Sequence, residues 1–205
     1  QENHGPLSVF IFPPAARLSG GFIFFFASLC DTVAMPFRHF PKHQYTTMAW
    51  KNGGGITHEI LRQPETASDW QWRISIAEIQ QDGPFSVFPG CDRALTLLSG
   101  SGMTLHFADR VDVMNTVYDT LRFNGEETVE AVLSDGLTTD FNAIWQRNAV
   151  TITLERRAMI GSLWCIAEPG VSWFVYFLSG QGRIKSDPDS PLFESGDGLW
   201  LQPKP

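Results

Sequence analysis

Trp70, Trp72, Ile74 and Ile76 alternate with Gln71, Arg73, Ser75 and Ala77. A period of two predicts a half-buried strand. The alternation then slips, with Glu78 on the tryptophan face and Ile79 on the arginine face, so a bulge or strand end is expected near Ala77. Asp82-Gly83-Pro84 and Pro89-Gly90-Cys91-Asp92 are turn signals. The apolar run Ala94 to Leu98, the turn Ser99 to Gly102 and the alternating Met103 to Phe107 read as a hairpin. Further strands are expected at Val129–Leu133, Asp140–Ile144, Val150–Leu154, Trp173–Leu178 and Gly198–Leu201, with a short helix over Glu126–Leu133 as the alternative to the first. No segment sustains a helical period. Many short strands punctuated by Gly and Pro predict an all-β sandwich or barrel.

A short string repeats. Leu98-Ser99-Gly100-Ser101-Gly102 returns as Leu178-Ser179-Gly180-Gln181-Gly182, each copy after an apolar strand and before a second strand marked by Gly. The shared context hints at duplicated β units. Two apolar runs, Val9 to Pro14 and Gly21 to Leu29, do not alternate, and the first methionine is Met35. A secretory leader cut near Ala34 competes with upstream DNA translated in frame, and the weak basic flank favours the latter. Residues 1–34 are therefore expected to pack poorly and to add little stability.

Composition narrows the partners. With 43% apolar residues among 205, a sizeable core can be buried. The net charge is −7 and no Lys/Arg cluster occurs, which argues against nucleic acid. The Phe-rich run is shorter than the roughly 20 apolar residues a membrane span needs. Three cysteines, none in a C-x-x-C pair, read as free thiols in a reducing, cytoplasmic compartment. Cys91 has no nominated base and is read as structural.

The polar constellations each have a bland alternative. Trp50-Lys51-Asn52-Gly53-Gly54-Gly55, followed by Thr57 and Glu59, is either a loop presenting amides and polar side chains to a ligand or a surface turn. Arg73 and Ser75 face either solvent or a barrel lumen, where Arg could grip a carboxylate. Phe85 to Arg93 reads as structural, with Phe85 and Phe88 plugging a barrel end. Asp140 and Asn142 share one strand face, with Phe141 on the other. The five histidines contain no H-x-H, so no metal is expected.

Taken together, these strings resemble the HutD/Ves family. The motifs are W-K-N-G-G-G with Thr57 and Glu59, Trp72 to Glu78, Gly83 to Arg93, Leu97 to Gly102, and Asp140-Phe141-Asn142, in the family's order over about residues 45–145. The resemblance implies a cupin-type (RmlC-like) β-barrel or jelly roll built as two unequal units, a bicupin. Residues 35–148 would form the first unit, with the ligand pocket, and 149–205 the smaller second unit. It also implies a non-catalytic small-molecule-binding protein that senses an intermediate of histidine degradation, formylglutamate or urocanate. Lys51, Asn52, Thr57, Glu59, Arg73, Ser75, Glu78, Asp140 and Asn142 become the pocket candidates. The expected partner is a small acidic or imidazole-bearing metabolite. No cofactor, nucleic acid or membrane is expected, and homodimerisation is left open. The alternatives are a metal-independent isomerase or hydrolase with Glu59 or Glu78 as general base, and a barrel simply filled with side chains.

Overall fold

The computed structural model describes residues 35–66, 69–157, 162, 163, 165 and 169–202, and the backbone of residues 7–12 and 25–27. The early segments are β1 (Leu7–Phe12), β2 (Phe25–Ala27) and β3 (Phe37–Phe40), then a 3-10 turn at Lys42–Gln44. Next come β4 (Thr46–Ala49), β5 (Gly55–Gln63), β6 (Trp72–Ile79), β7 (Gly83–Pro84), β8 (Cys91–Ser99) and β9 (Met103–His106). They continue as β10 (Val111–Met114), β11 (Thr120–Asn124), β12 (Glu130–Leu133) and β13 (Thr138–Gln146). The last are β14 (Ile152–Arg156), β15 (Ser172–Phe177), β16 (Gln181–Ile184), β17 (Phe193–Glu194) and β18 (Gly198–Leu201). The described chain is all-β, and Glu126–Leu133 holds a strand rather than the alternative helix.

Two compact units divide it, Tyr45–Val150 and a second made of Gln1–Gln44 with Thr151–Pro205. β3 belongs to the second of these, where it pairs antiparallel with β18 (Phe37 opposite Leu201, Phe40 opposite Gly198).

In the Tyr45–Val150 unit, a six-stranded antiparallel sheet runs β11-β8-β13-β6-β5-β4 and a four-stranded sheet runs β10-β9-β12-β7. Ala77, Ile79, Leu95 and Leu97 from the larger sheet pack with Met103, Leu105, Met114 and Ala131 from the smaller. These side chains are 0–5% exposed, so the core is dry.

Three details bear on the sequence reading. β8 and β9 form no hairpin, because β8 pairs with β11 and β13 while β9 pairs with β10 and β12. The turn between them carries the chain from one sheet to the other. Gly100 and Gly102 both have positive φ there (95° and 88°), a conformation glycine adopts without penalty. Near Ala77, of the bulge or strand end expected there, it is the strand end that occurs: β6 pairs with β13 in unbroken register from Trp72 and ends at Ile79. The extra residues lie elsewhere, at Ile60 of β5 and Leu98 of β8. Finally, within residues 1–34, which were expected to pack poorly, the backbones of β1 and β2 lie in sheets. β1 runs parallel between β14 and β15, and β2 runs parallel to β16. Continuous apolar runs are the pattern of central parallel strands.

The second unit repeats the sheet switch. β15 belongs to a five-stranded sheet, β14-β1-β15-β18-β3, and β16 to a three-stranded one, β17-β16-β2. The second L-S-G-x-G copy joins them, with Gly180 at φ 81°. Buried Asp197 ties this unit's ends together: its carboxylate accepts the Lys42 and Glu194 backbone N–H groups, each at 3.0 Å, and lies 2.9 Å from His39 Nε2.

Gly102→Ala tests the sheet-switching turn. A Cβ there would meet the Met114 carbonyl oxygen at 2.0 Å, whereas one at Gly136 (φ 61°) would meet nothing within 4 Å. Urea unfolding should show a loss of more than about 2 kcal/mol for Gly102→Ala and about 1 kcal/mol for Gly136→Ala. Equal losses would mean that the close approach at Gly102 is relieved cheaply.

Candidate functional site

Strand parity builds the site. On β6, Arg73, Ser75 and Ala77 share one face with Asp140, Asn142 and Ile144 of β13. Ile144 stands opposite Arg73 on one side and Arg93 of β8 on the other; Asn142 lies between Ser75 and Leu95, and Asp140 between Ala77 and Leu97. The face is thus charged at one end and apolar at the other, where the core of the unit begins. With strands about 4.8 Å apart, the two arginine backbones are roughly 10 Å apart. Their side chains can converge on one object.

They line a cavity of about 680 Å³, a volume typical of small-molecule sites. Seven of the nine sequence candidates border it: Lys51, Asn52, Thr57, Arg73, Ser75, Asp140 and Asn142. Exposed Met48, Ala49, Lys51 and Asn52 form the rim, and buried Ser75, Arg93 and Asp140 lie within. The glycine string is a tight turn, not a loose one. Trp50 N–H donates to the Gly55 carbonyl at 2.9 Å, and Asn52 Oδ1 accepts the Gly54 N–H at 3.1 Å. Gly55 is required by close approach, since a Cβ there would sit 2.6 Å from the Glu78 carbonyl oxygen. Trp50 Nε1–H donates to the Thr57 hydroxyl at 2.9 Å, which leaves that hydroxyl free to donate inward.

Glu59 and Glu78 do not border the cavity. Glu59 shares the arginine face but lies behind it, 3.7 Å from Arg73 Nε and 3.5 Å from Arg62 Nε. Glu78 has the opposite parity. Its carboxylate pairs with His58 Nε2 at 3.1 Å, and His58 Nδ1 lies 3.0 Å from the Thr47 hydroxyl.

Arg93, Phe85, Ser86 and Phe88 border the cavity as well, although the sequence reading left them structural. The signal was present: Arg93 has the inward parity of Leu95 and Leu97 within an apolar strand. Its guanidinium is 5% exposed and lies 4.9–5.5 Å from the ring centroids of Phe85, Phe88 and Phe123. Nη1 donates to the Ser86 carbonyl at 3.3 Å and Nη2 to Asn142 Oδ1 at 3.4 Å. Phe88 also lies 5.8 Å from the Arg73 guanidinium, so one ring faces both cations. Burial lowers the Arg73 value against the pull of Glu59, and lowers Arg93 to about 10 against the pull of Asp140; a guanidinium stays charged at neutral pH. Neither Nε finds a hydrogen-bond acceptor.

Asp140 is fully buried. Its Oδ1 accepts from Asn142 Nδ2 at 3.4 Å and its Oδ2 has no partner. Burial pushes its carboxyl up to about 7, against the Arg93 charge and the Asn142 bond. Among the described residues, no three His, Cys, Asp or Glu side chains gather as metal ligands, and no helix is long and apolar enough to cross a membrane. The described cysteines, Cys91 and Cys165, are unpaired and buried, and burial raises both thiols, Cys165 to about 12.

An unfolded aspartate titrates at about 4. Folding therefore favours the protonated form of Asp140, and the stability so contributed is complete below about pH 4 and lost as pH rises through about 7. Asp140→Asn should gain on the parent protein by a few kcal/mol, as an order of magnitude, between pH of about 4 and about 8. Denaturation across that range reads this directly; a difference independent of pH would show an ordinary carboxylate.

Comparison with known proteins gives this geometry a family. Over 102 residues the chain is 41% identical to an uncharacterised 21.2 kDa protein from the hutC 3′ region of Pseudomonas putida; the match covers 49% of this chain and 54% of that protein. The chain thus spans about half the length of that curated relative. HutD from Pseudomonas fluorescens SBW25 superposes with a TM-score of 0.61 at 24% identity, over 82% of this chain and 88% of that one. A conserved protein of unknown function from Pseudomonas aeruginosa PAO1 also superposes at 0.61, with 23% identity over 82% and 87%. These two likenesses establish the shared fold. The HutD family model matches residues 42–205, most of the sequence, and the chain belongs to the HutD family.

Proposed function

We propose that the Tyr45–Val150 unit binds a small carboxylate-bearing metabolite and that the protein acts as a cytoplasmic, non-catalytic sensor of it. One observation carries this reading: buried Arg93, whose Nε has no hydrogen-bond acceptor, and half-buried Arg73 converge on one cavity in which cations outnumber ionised carboxylates. A carboxylate can take two parallel bonds from such a fork. Asn52, Ser75, Thr57 and Asn142 supply neutral donors and acceptors around it. Histidine utilisation enters through the family and through the relative placed beside hutC, which makes formylglutamate and urocanate the first metabolites to try. The two units are proposed as unequal cupin-like barrels, a reading supported by the repeated sheet-switching turn. Two buried, unpaired thiols suit a reducing compartment. Glu59 and Glu78, the bases of the enzymatic alternative, lie outside the cavity lining, so nothing favours that alternative.

Calorimetric titration of formylglutamate, urocanate and glutamate tests the proposal. Wild type should bind at least one without forming product over hours. Arg73→Ala should lose roughly 2–5 kcal/mol of binding, and Arg73→Lys should recover only part, because a point charge does not reproduce the fork. Equal binding by Arg73→Ala would place Arg73 outside the site, and steady turnover would promote the enzymatic reading.

Glu78→Gln provides the parity control. Its side chain points away from the cavity, so affinity should stay within about twofold of wild type, well under the 1.4 kcal/mol of a tenfold change. A larger loss would mean that the opposite sheet face feeds into binding.

A further inference from the structure

Asp140 is an odd tenant for an anion site. It is 0% exposed, at the row where the charged end of the face meets the apolar core, opposite Ala77 and Leu97. The charged groups around it are few. Arg93 faces it from β8, Arg73 lies on β6 with Glu59 of β5 behind it, and Lys51 stands at the rim. The smaller sheet contributes apolar Met103, Leu105 and Ala131 to the adjoining core. Asn142 does not serve the second oxygen: its nitrogen donates to Asp140 Oδ1 and its oxygen accepts from Arg93. Oδ2 is buried and has no protein partner.

A bound carboxylate changes this balance. It draws on the same guanidinium charge that Asp140 uses, and it adds a negative charge to the same closed space. Two carboxylates in one such site do not both stay ionised. Resting on the anion-binding reading above, we infer that Asp140 holds the ligand as a neutral acid: its carboxyl O–H donates to an oxygen of the bound anion, and one proton from solvent enters with the ligand. The unpartnered oxygen thereby gains the acceptor it lacks. The site then selects anions that place an acceptor oxygen at its deep end. A ligand with a free ammonium there would instead favour ionised Asp140 and expel the proton.

The free carboxyl sits near neutrality, at about 7, so proton uptake falls in an accessible range. An acid whose pKa rises on binding couples tighter binding to lower pH, with the linkage lost below its free value. Titrating formylglutamate, urocanate and glutamate at about pH 7.5, in two buffers of different ionisation enthalpy, should show uptake of between about half and one proton per site for the anion that binds. Its affinity should weaken about tenfold from pH 6 to 8. Asp140→Asn keeps a donor and removes the titration, so uptake and pH slope should both vanish. The difference between parent and variant separates Asp140 from any titration of the ligand itself. In wild type, the Asp140 carboxyl ¹³C resonance, assigned by its loss in the variant, should titrate near neutrality and move to higher pH in the complex.

Binding of formylglutamate or urocanate without proton uptake, uptake that persists in Asp140→Asn, or proton release with either of these two would overturn the inference and leave the anion site standing. A carboxyl resonance titrating at about pH 4 would do the same. Failure of all three anions to bind overturns both.

Discussion

The candidate site depends on one constraint: the register of β13 between β6 and β8. That register sets Ile144 between the two arginines, Asn142 beside Ser75, and Asp140 beside Ala77 and Leu97. A slip of one residue would turn Asp140 and Asn142 to the other face and bring Phe141 and Ala143 into the cavity. Such a slip would bury aromatic bulk against guanidinium groups and strand the Arg93–Asn142 hydrogen bond. The polar row and the apolar rows therefore enforce each other. Leu95, Leu97 and Ala77 hold the register by burial, and the held register places the charges.

The second organising device is the sheet switch. β8 ends in Ser99 to Gly102 and β9 opens on the facing sheet, so residues close in the sequence meet across the core instead of side by side. Leu95 and Leu97 then pack with Met103 and Leu105. The Leu178 to Gly182 copy does the equivalent between β15 and β16, with Val175, Phe177 and Ile184 in its own unit's core. A five-residue string thus marks the same topological step twice, in units of different size.

Much of this was legible in the chain. Period-two alternation located the Trp72 strand and put Arg73 and Ser75 on one face, and the same parity paired Asp140 with Asn142. The same count put Glu78 on the opposite face, although the family resemblance made it a pocket candidate. What local pattern does not carry is partner choice. A glycine-marked turn between two strands reads as a hairpin whether its arms pair or part, because the decision is made by long-range packing. The sequence offered a bulge or a strand end in β6, and the extra residues occur in β5 and β8, since a slip in alternation does not say which strand absorbs it. Arg93 was visible but read as structural: a charge at an inward position is costly unless something meets it, and only the fold brings Ser86, Asn142 and three phenylalanine rings to it.

Ala77 belongs to two places at once. Its methyl group borders the cavity and also packs with Ile79 and Leu97 in the core. The size of that one small side chain therefore bears on the room beside Asp140, which stands opposite it. Within a fixed register, variation at that single position would alter how long a molecule fits.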